Sequence, residues 1–377
     1  MAENSTLPFE TGIFNASIEA WQREGKKVVG TICCHVPEEI IHAAGMLPVR
    51  IRATGCTDDS AAEVWMSSFS CSFARSCMQF FLDGRYSFLD GVVCSDGCLM
   101  AQRFFDNLNH QFKDLYQQLV VAPRLYTDEA VPFYREELER FLAGMEKLSG
   151  NKITEEKLKN SIDVYNETRR LIREFYDLRK GDAPPVSGEE SLKVTLAAMS
   201  MPKEEFNRRL NGFIREVKER EPSNGRGVRL MIIGSTLDDP EYVKIIESKG
   251  GSVVTDVQCY GSRYLWEPTV PGKGDMLDSL ARSYLSRPVC PRMCNLHTGI
   301  YDFIHGMARD FSVDGILYVK MKNCDLWGGE SVHIEDKLKA AKIPLLTVER
   351  EEIMTNVGQL AVRAEAFIEM IEGGAGR

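Results

Sequence analysis

The chain has 377 residues, 44% of them hydrophobic and 27% charged, with a formal charge of −9 and a pI near 5.4. That length exceeds one ordinary core and asks for two or three domains of roughly 100–200 residues each. The acidic balance argues against a nucleic-acid surface, no apolar run approaches the ~20 residues that span a bilayer, and Met1-Ala2-Glu3-Asn4-Ser5 does not open a secretory signal, so a cytoplasmic protein is the expectation. Eleven cysteines in such a chain read as reduced thiols or metal ligands.

From the N-terminus, Phe9, Ile13, Ile18 and Trp21 suggest an entry helix over 9–24, and Val28 to Ile32 reads as a strand. Cys33-Cys34-His35-Val36-Pro37-Glu38-Glu39 follows, where proline and two glutamates read as ordinary helix-start chemistry ahead of Ile40 to Ala44. Leu47 to Ile51 is the next strand. Cys71 opens a helix running to Leu82, a position where the dipole favours a thiolate. Asp90-Gly91-Val92-Val93-Cys94-Ser95-Asp96-Gly97-Cys98 reads as an Asp-Gly turn, a buried strand and a cysteine at its exit, with a helix from Leu99 and a short strand at 119–121.

From 126 to 222 the pattern turns charged and helical, with Leu148, Ile153, Leu158, Ile162, Tyr165, Leu171 and Phe175 forming a core-facing stripe. Glu221-Pro222-Ser223-Asn224-Gly225-Arg226-Gly227 reads as a linker, after which strands at 228–233 and 253–257 and helices at 239–248, 275–286 and 298–311 are expected. Asp314-Gly315 to Lys322-Asn323-Cys324 then repeats the cysteine-tipped strand. Trp327-Gly328-Gly329-Glu330 reads as the lead into a helix at 331–341, before a strand at 343–348 and a helix at 357–372. Alternating strands and helices imply an α/β fold of two Rossmann-like (flavodoxin-like) parallel-sheet halves, 1–125 and 223–377, joined by a helical insertion at 126–222.

Cys71, Cys98 and Cys324 fall at strand exits or helix starts in distant segments, unlike the compact pairs of structural zinc sites. Soft thiolates select iron–sulfur clusters or zinc, and buried structural thiols are the alternative. Cys33, Cys56, Cys77 and Cys259 read as small buried hydrophobes, Cys94 as facing the core, and Cys290 with Cys294 as a second pair in a proline-rich loop.

Pro37 to Gly45, the segment around Cys71, the Cys98 turn, Met321-Lys322-Asn323-Cys324-Asp325 and Gly358-Gln359-Leu360 with Arg363 and Ala366 to Met370 resemble the benzoyl-CoA reductase and 2-hydroxyacyl-CoA dehydratase subunit family. The resemblance covers nearly the whole chain in order. It implies one [4Fe-4S] cluster held by Cys71, Cys98 and Cys324, an acyl-CoA substrate, a related cluster-bearing subunit and a separate ATP-dependent iron–sulfur activator. Cys324-Asp325-Leu326-Trp327-Gly328-Gly329-Glu330 and Cys259-Tyr260-Gly261-Ser262-Arg263-Tyr264 lean toward benzoyl-CoA reductase-type subunits, which reduce an aromatic ring. The alternatives are a dehydratase subunit, an electron-relay partner and a double-cubane reductase in which Cys290 and Cys294 add ligands. His35, Tyr260 and Glu330 are candidate catalytic proton donors, and Arg50 and Arg52 candidate contacts for a CoA phosphate. Phe69, Val92, Val93 and Trp327 are expected to keep water from the site.

Overall fold

The largely apolar segments Val28–Ile32 and Val228–Gly234 are buried along their whole length, as strands covered on both faces of a parallel sheet must be. The computed structural model describes residues 7–220, 227–272, 274–287 and 290–374. The N-terminal half contains α1 (Ala16–Arg23), β1 (Val28–Ile32), α2 (Glu38–Ala43), β2 (Leu47–Arg50), α3 (Ser72–Leu82), β3 (Gly91–Ser95), α4 (Leu99–Gln111) and β4 (Tyr116–Val120). Four helices follow: α5 (Ala130–Ser149), α6 (Glu155–Asp177), α7 (Gly188–Ala198) and α8 (Lys203–Lys218). The C-terminal half holds β5 (Val228–Gly234), α9 (Pro240–Glu247), β6 (Gly251–Val257), α10 (Ser262–Leu265), α11 (Met276–Ser286), α12 (His297–Asp310), β7 (Gly315–Met321), α13 (Asp325–Ala340), β8 (Leu345–Arg350) and α14 (Val357–Gly374).

The two halves carry the same sheet. One has strand order β2-β1-β3-β4 and the other β6-β5-β7-β8, with every neighbouring pair parallel. Both Asp-Gly turns tie the start of the third strand to that of the first: the Asp90 carboxylate accepts from Val28 N at 2.8 Å, and that of Asp314 from Arg229 N at 2.9 Å. In both sheets the strand order reverses beside the first strand, and the crevice at the carboxyl ends there is where open α/β sheets bind ligands.

The helical stripe divides between two cores. Leu158 and Ile162 of α6 pack with Val29, Val93 and Phe141 against the first sheet, whereas Leu171 and Phe175 pack against the second with Leu230 and Ile316. Leu280 and Tyr284 of α11 also join the first-sheet core, and Phe9 packs on Phe206 and Phe213 of α8. The helix expected from 9 therefore begins later, where Asn15 caps Ile18 N. Of the expected linker, 221–226 lies outside the described residues. Helix α13 begins at Asp325 and not at 331, carrying Gly328 and Gly329 in its interior; two glycines cost about 1 kcal/mol each there, but packing of Trp327, Ile334 and Leu338 overrides the local preference.

Candidate functional site: a cavity lined by seven thiols

Both sheet crevices open into one cavity of about 130 Å³. It is bordered by Cys33 and Cys34 from the exit of β1, Cys71 at the start of α3, Cys98 after β3, Cys259 after β6, Cys290 ahead of α12 and Cys324 after β7. Cys71, Cys98 and Cys324 each occupy the position just before the first residue of a helix, and only Cys98 caps it with its side chain. Cys98 Sγ accepts from Ala101 N at 3.4 Å. Phe73, Met100, Phe104, Leu326 and Trp327 supply an apolar wall.

The thiols form two groups. Cys71 lies within electrostatic range of Cys98 and Cys324, and burial, reinforced by Cys324, pushes its pKa up against the helix dipole. The expectation of a dipole-stabilised thiolate at Cys71 is therefore reversed: leaving water costs a buried anion more than a few backbone N–H groups return. Cys98 is likewise pushed up to about 11 by burial. In the second group Cys34 is held between the thiols of Cys259 and Cys290, whose hydrogen bonds lower its pKa while theirs rise in return. Cys33 is beside it, lowered by its hydrogen bond with Cys34, and fills the space where a Cβ on Gly97 would come within 2.5 Å of its sulfur. The Arg263 guanidinium donates to Cys259 Sγ and lies 5.0 Å from the Trp327 ring centre.

Several expected residues sit elsewhere. Cys56, Cys77 and Cys94 are core residues, as anticipated, but Cys33 and Cys259 border the cavity. Cys294 is exposed and does not join Cys290 there. Tyr260 borders the cavity with its hydroxyl donated to the Ile51 carbonyl and its pKa pushed up by burial. Glu330 accepts from or shares a proton with His297 Nδ1 at 2.8 Å and does not border the cavity. His35 is sealed in beside it, both ring nitrogens without a partner, and burial with four nearby arginines holds it neutral. Arg50 borders the cavity, buried and 4.0 Å from Glu38, while Arg52, also buried, donates to Thr11 O. Phe69 is 82% exposed, and Val92 and Val93 lie in the sheet core, so of the expected water barrier only Trp327 stands at the site.

Glu38 and Glu39 stand in the first turn of α2, as expected, but away from solvent. Both are fully buried, Glu39 accepting from Arg169 and Tyr284 at 2.6 Å each and Glu38 facing Lys203 at 3.6 Å. They anchor the β1 exit loop that carries Cys33 and Cys34.

A larger cleft of about 360 Å³ lies between the end of β8 and the start of α14. Its charges include Lys322, paired with Glu351 at 3.1 Å, Arg350, paired with Glu352 at 2.5 Å, and Arg363, which donates to the Thr347 carbonyl, and no thiol borders it among the described residues, so the thiol chemistry belongs to the smaller cavity. Among the described residues no three His, Cys, Asp or Glu side chains converge closely enough for a single metal ion. A polynuclear cluster sets a different requirement, since each thiolate meets its own iron and the sulfurs stand apart.

A cavity built where two parallel-sheet crevices meet, with cysteines at matching strand exits, defines a pseudo-symmetric α/β thiol-site protein. Residues 33–371 match the family described as 2-hydroxyglutaryl-CoA dehydratase, D-component, and the chain belongs to that family. It is 26% identical to the (R)-phenyllactyl-CoA dehydratase beta subunit of Clostridium sporogenes, across 93% of each chain. It is also 26% identical to one of the benzoyl-CoA reductase subunits of Thauera aromatica, over 92% of this chain and 91% of that one. With the (R)-2-hydroxyglutaryl-CoA dehydratase beta subunit of Acidaminococcus fermentans the identity is 22%, over 93% and 94%. Among the described residues no helix is long and apolar enough to cross a membrane.

Proposed function

We propose that this chain is an iron–sulfur subunit of an ATP-activated system for low-potential electrons, with two sets of cysteine ligands in one cavity in the manner of a double-cubane reductase. The observation that carries the reading is the second trio, Cys34, Cys259 and Cys290, beside the trio Cys71, Cys98 and Cys324. The residues fit such a group. Burial keeps Cys71 and Cys98 protonated on their own, and a bound cation is what stabilises buried thiolates. The group would supply reversible one-electron storage at a potential set by its surroundings. Around it Phe73 and Trp327 exclude water, and Arg263 and Arg50 bring positive charge to the second trio. A related cluster-bearing subunit and a separate ATP-hydrolysing activator are the partners that this reading requires.

Size favours an inorganic occupant: about 130 Å³ is well below the roughly 300–1,000 Å³ of ordinary small-molecule pockets. A second reading, a benzoyl-CoA reductase-like or 2-hydroxyacyl-CoA dehydratase subunit with one [4Fe-4S] cluster whose acyl-CoA substrate enters the cavity, is supported by the names of the relatives and by the apolar wall. Electron paramagnetic resonance of the anaerobic, reduced protein with and without benzoyl-CoA and a 2-hydroxyacyl-CoA separates the two. Unchanged spectra are expected. A spectrum altered by one thioester would favour the second reading.

A further inference from the structure

The two thiol trios border one cavity and differ in electrostatics. Beside Cys34, Cys259 and Cys290 stand two cavity-lining arginines, both buried: Arg263, whose guanidinium donates to Cys259 Sγ, and Arg50. Beside Cys71, Cys98 and Cys324 the cavity presents no arginine among the described residues, and its charged neighbour is Asp325, next to Cys324 and within electrostatic range of Cys98. A third arginine near Cys33, Arg292, is tied to Asp96 at 2.9 Å and to the carbonyls of Ala122 and Pro123. Charge and hydrogen bonds to the sulfurs are the levers by which a protein sets a cluster's potential, and a cationic donor on a thiolate favours the more negative, reduced state.

We infer that Arg263 makes the site directional: it is a positioning residue that raises the potential at the Cys34, Cys259 and Cys290 trio, so that an electron entering the cavity rests there and the Cys71, Cys98 and Cys324 trio remains the lower-potential side. This rests on the two-trio reading above. Arg263 is held in place from two sides, with its guanidinium over the Trp327 ring and its backbone in the short helix α10 immediately after Cys259. Clusters held by the two trios would exchange single electrons with no bond made or broken, and the low-potential iron–sulfur activator of the reading above would be the reductant.

The test is a redox titration of the anaerobic holoprotein, followed by electron paramagnetic resonance, with iron counted beforehand on the same samples. Two midpoints are expected in the wild type. In Arg263→Gln the upper one falls, so that at a fixed poise its reduced-to-oxidised ratio drops roughly tenfold, the loss of one charge-assisted hydrogen bond, or about 59 mV for one electron. The lower midpoint stays, and Arg263→Lys, which keeps the charge, shows a smaller fall. Full iron with both midpoints unmoved in Arg263→Gln, or movement of the lower one alone, overturns the inference. If Arg263→Gln does not retain iron, Arg263→Lys decides by the same criterion. Iron for only one cluster in the wild type overturns the two-trio reading itself, and is known before any titration begins.

Discussion

The N-terminal and C-terminal halves share strand order, Asp-Gly ties and a cysteine at the third-strand exit, yet they are stiffened differently. In the first half, the helix after β1 starts with two fully buried glutamates held by Arg169, Tyr284 and Lys203. In the second, the helix after β5 starts with the Asp239 cap and an exposed Glu241 paired, among the described residues, with Lys244 at 3.1 Å. The first arrangement fixes the loop that bears Cys33 and Cys34. The second leaves its loop, Ser235-Thr236, without thiols, and the C-terminal half brings Cys259 and Cys290 from other loops. Similar folds thus reach one cavity with complementary donors.

Breaking the buried pair gives the largest effect expected on stability. Glu39→Ala leaves Arg169 buried without its carboxylate and is expected to cost about 3–5 kcal/mol in urea unfolding, whereas Glu241→Ala costs less than about 1 kcal/mol. Equal losses would remove the contrast between the halves. pH sharpens the same point. Burial raises the Glu39 pKa, but Arg169, Arg287 and the Tyr284 hydroxyl together bring it below 4.5. A depressed carboxylate stabilises the fold above its unfolded pKa, so the advantage of the wild type over Glu39→Gln is full at neutral pH and fades as pH falls below about 4.5.

Equivalent glycines provide a finer comparison. A Cβ at Gly315 in β7 would meet Ile371 at 2.5 Å and Phe367 at 2.9 Å on α14, while at Gly91 in β3 the nearest atom, on Tyr116, is at 3.1 Å. Gly315→Ala is expected to cost roughly 1–3 kcal/mol by overpacking and Gly91→Ala less, read from thermal denaturation. The reverse order would mean that α14 yields more readily than the edge of the first sheet.

The smallest effect belongs to the half-exposed pair of His42 and Glu204 at 3.1 Å, which ties α2 to α8. Its hydrogen bond with His42 brings Glu204 down to about 2. Glu204→Gln is expected to lower stability by no more than about 1 kcal/mol, given solvent screening, with the difference present above pH 4.5 and gone near pH 2. A difference that persists at pH 2 would assign the loss to packing and not to charge.

Much of this was legible in the sequence. Largely apolar runs marked β1, β3, β5 and β7, and Cys71 and Cys98 were expected at the starts of the helices they precede, whereas the helix after Cys324 begins six residues earlier than its glycines suggested. The other trio was not legible by the same means. Cys34 lies in the other half of the chain from Cys259 and Cys290, and spacing carries no information about contacts made only when the two sheet crevices face each other. One signal was available: Cys290 precedes the helix leading to the second Asp-Gly turn as Cys71 precedes the helix leading to the first. Glu38 and Glu39 do stand in the first turn of a helix, as their sequence context implied, but their burial was not legible, since their partners on α6, α8 and α11 are remote in sequence.

The central claim is that both trios hold metal. Its most direct test is iron and acid-labile sulfide on the anaerobically purified chain, with Cys324→Ser and Cys290→Ser beside the wild type. The account predicts about eight irons per chain, as two [4Fe-4S] units require, with part lost in each variant. About four irons, lost in Cys324→Ser and untouched in Cys290→Ser, would contradict it.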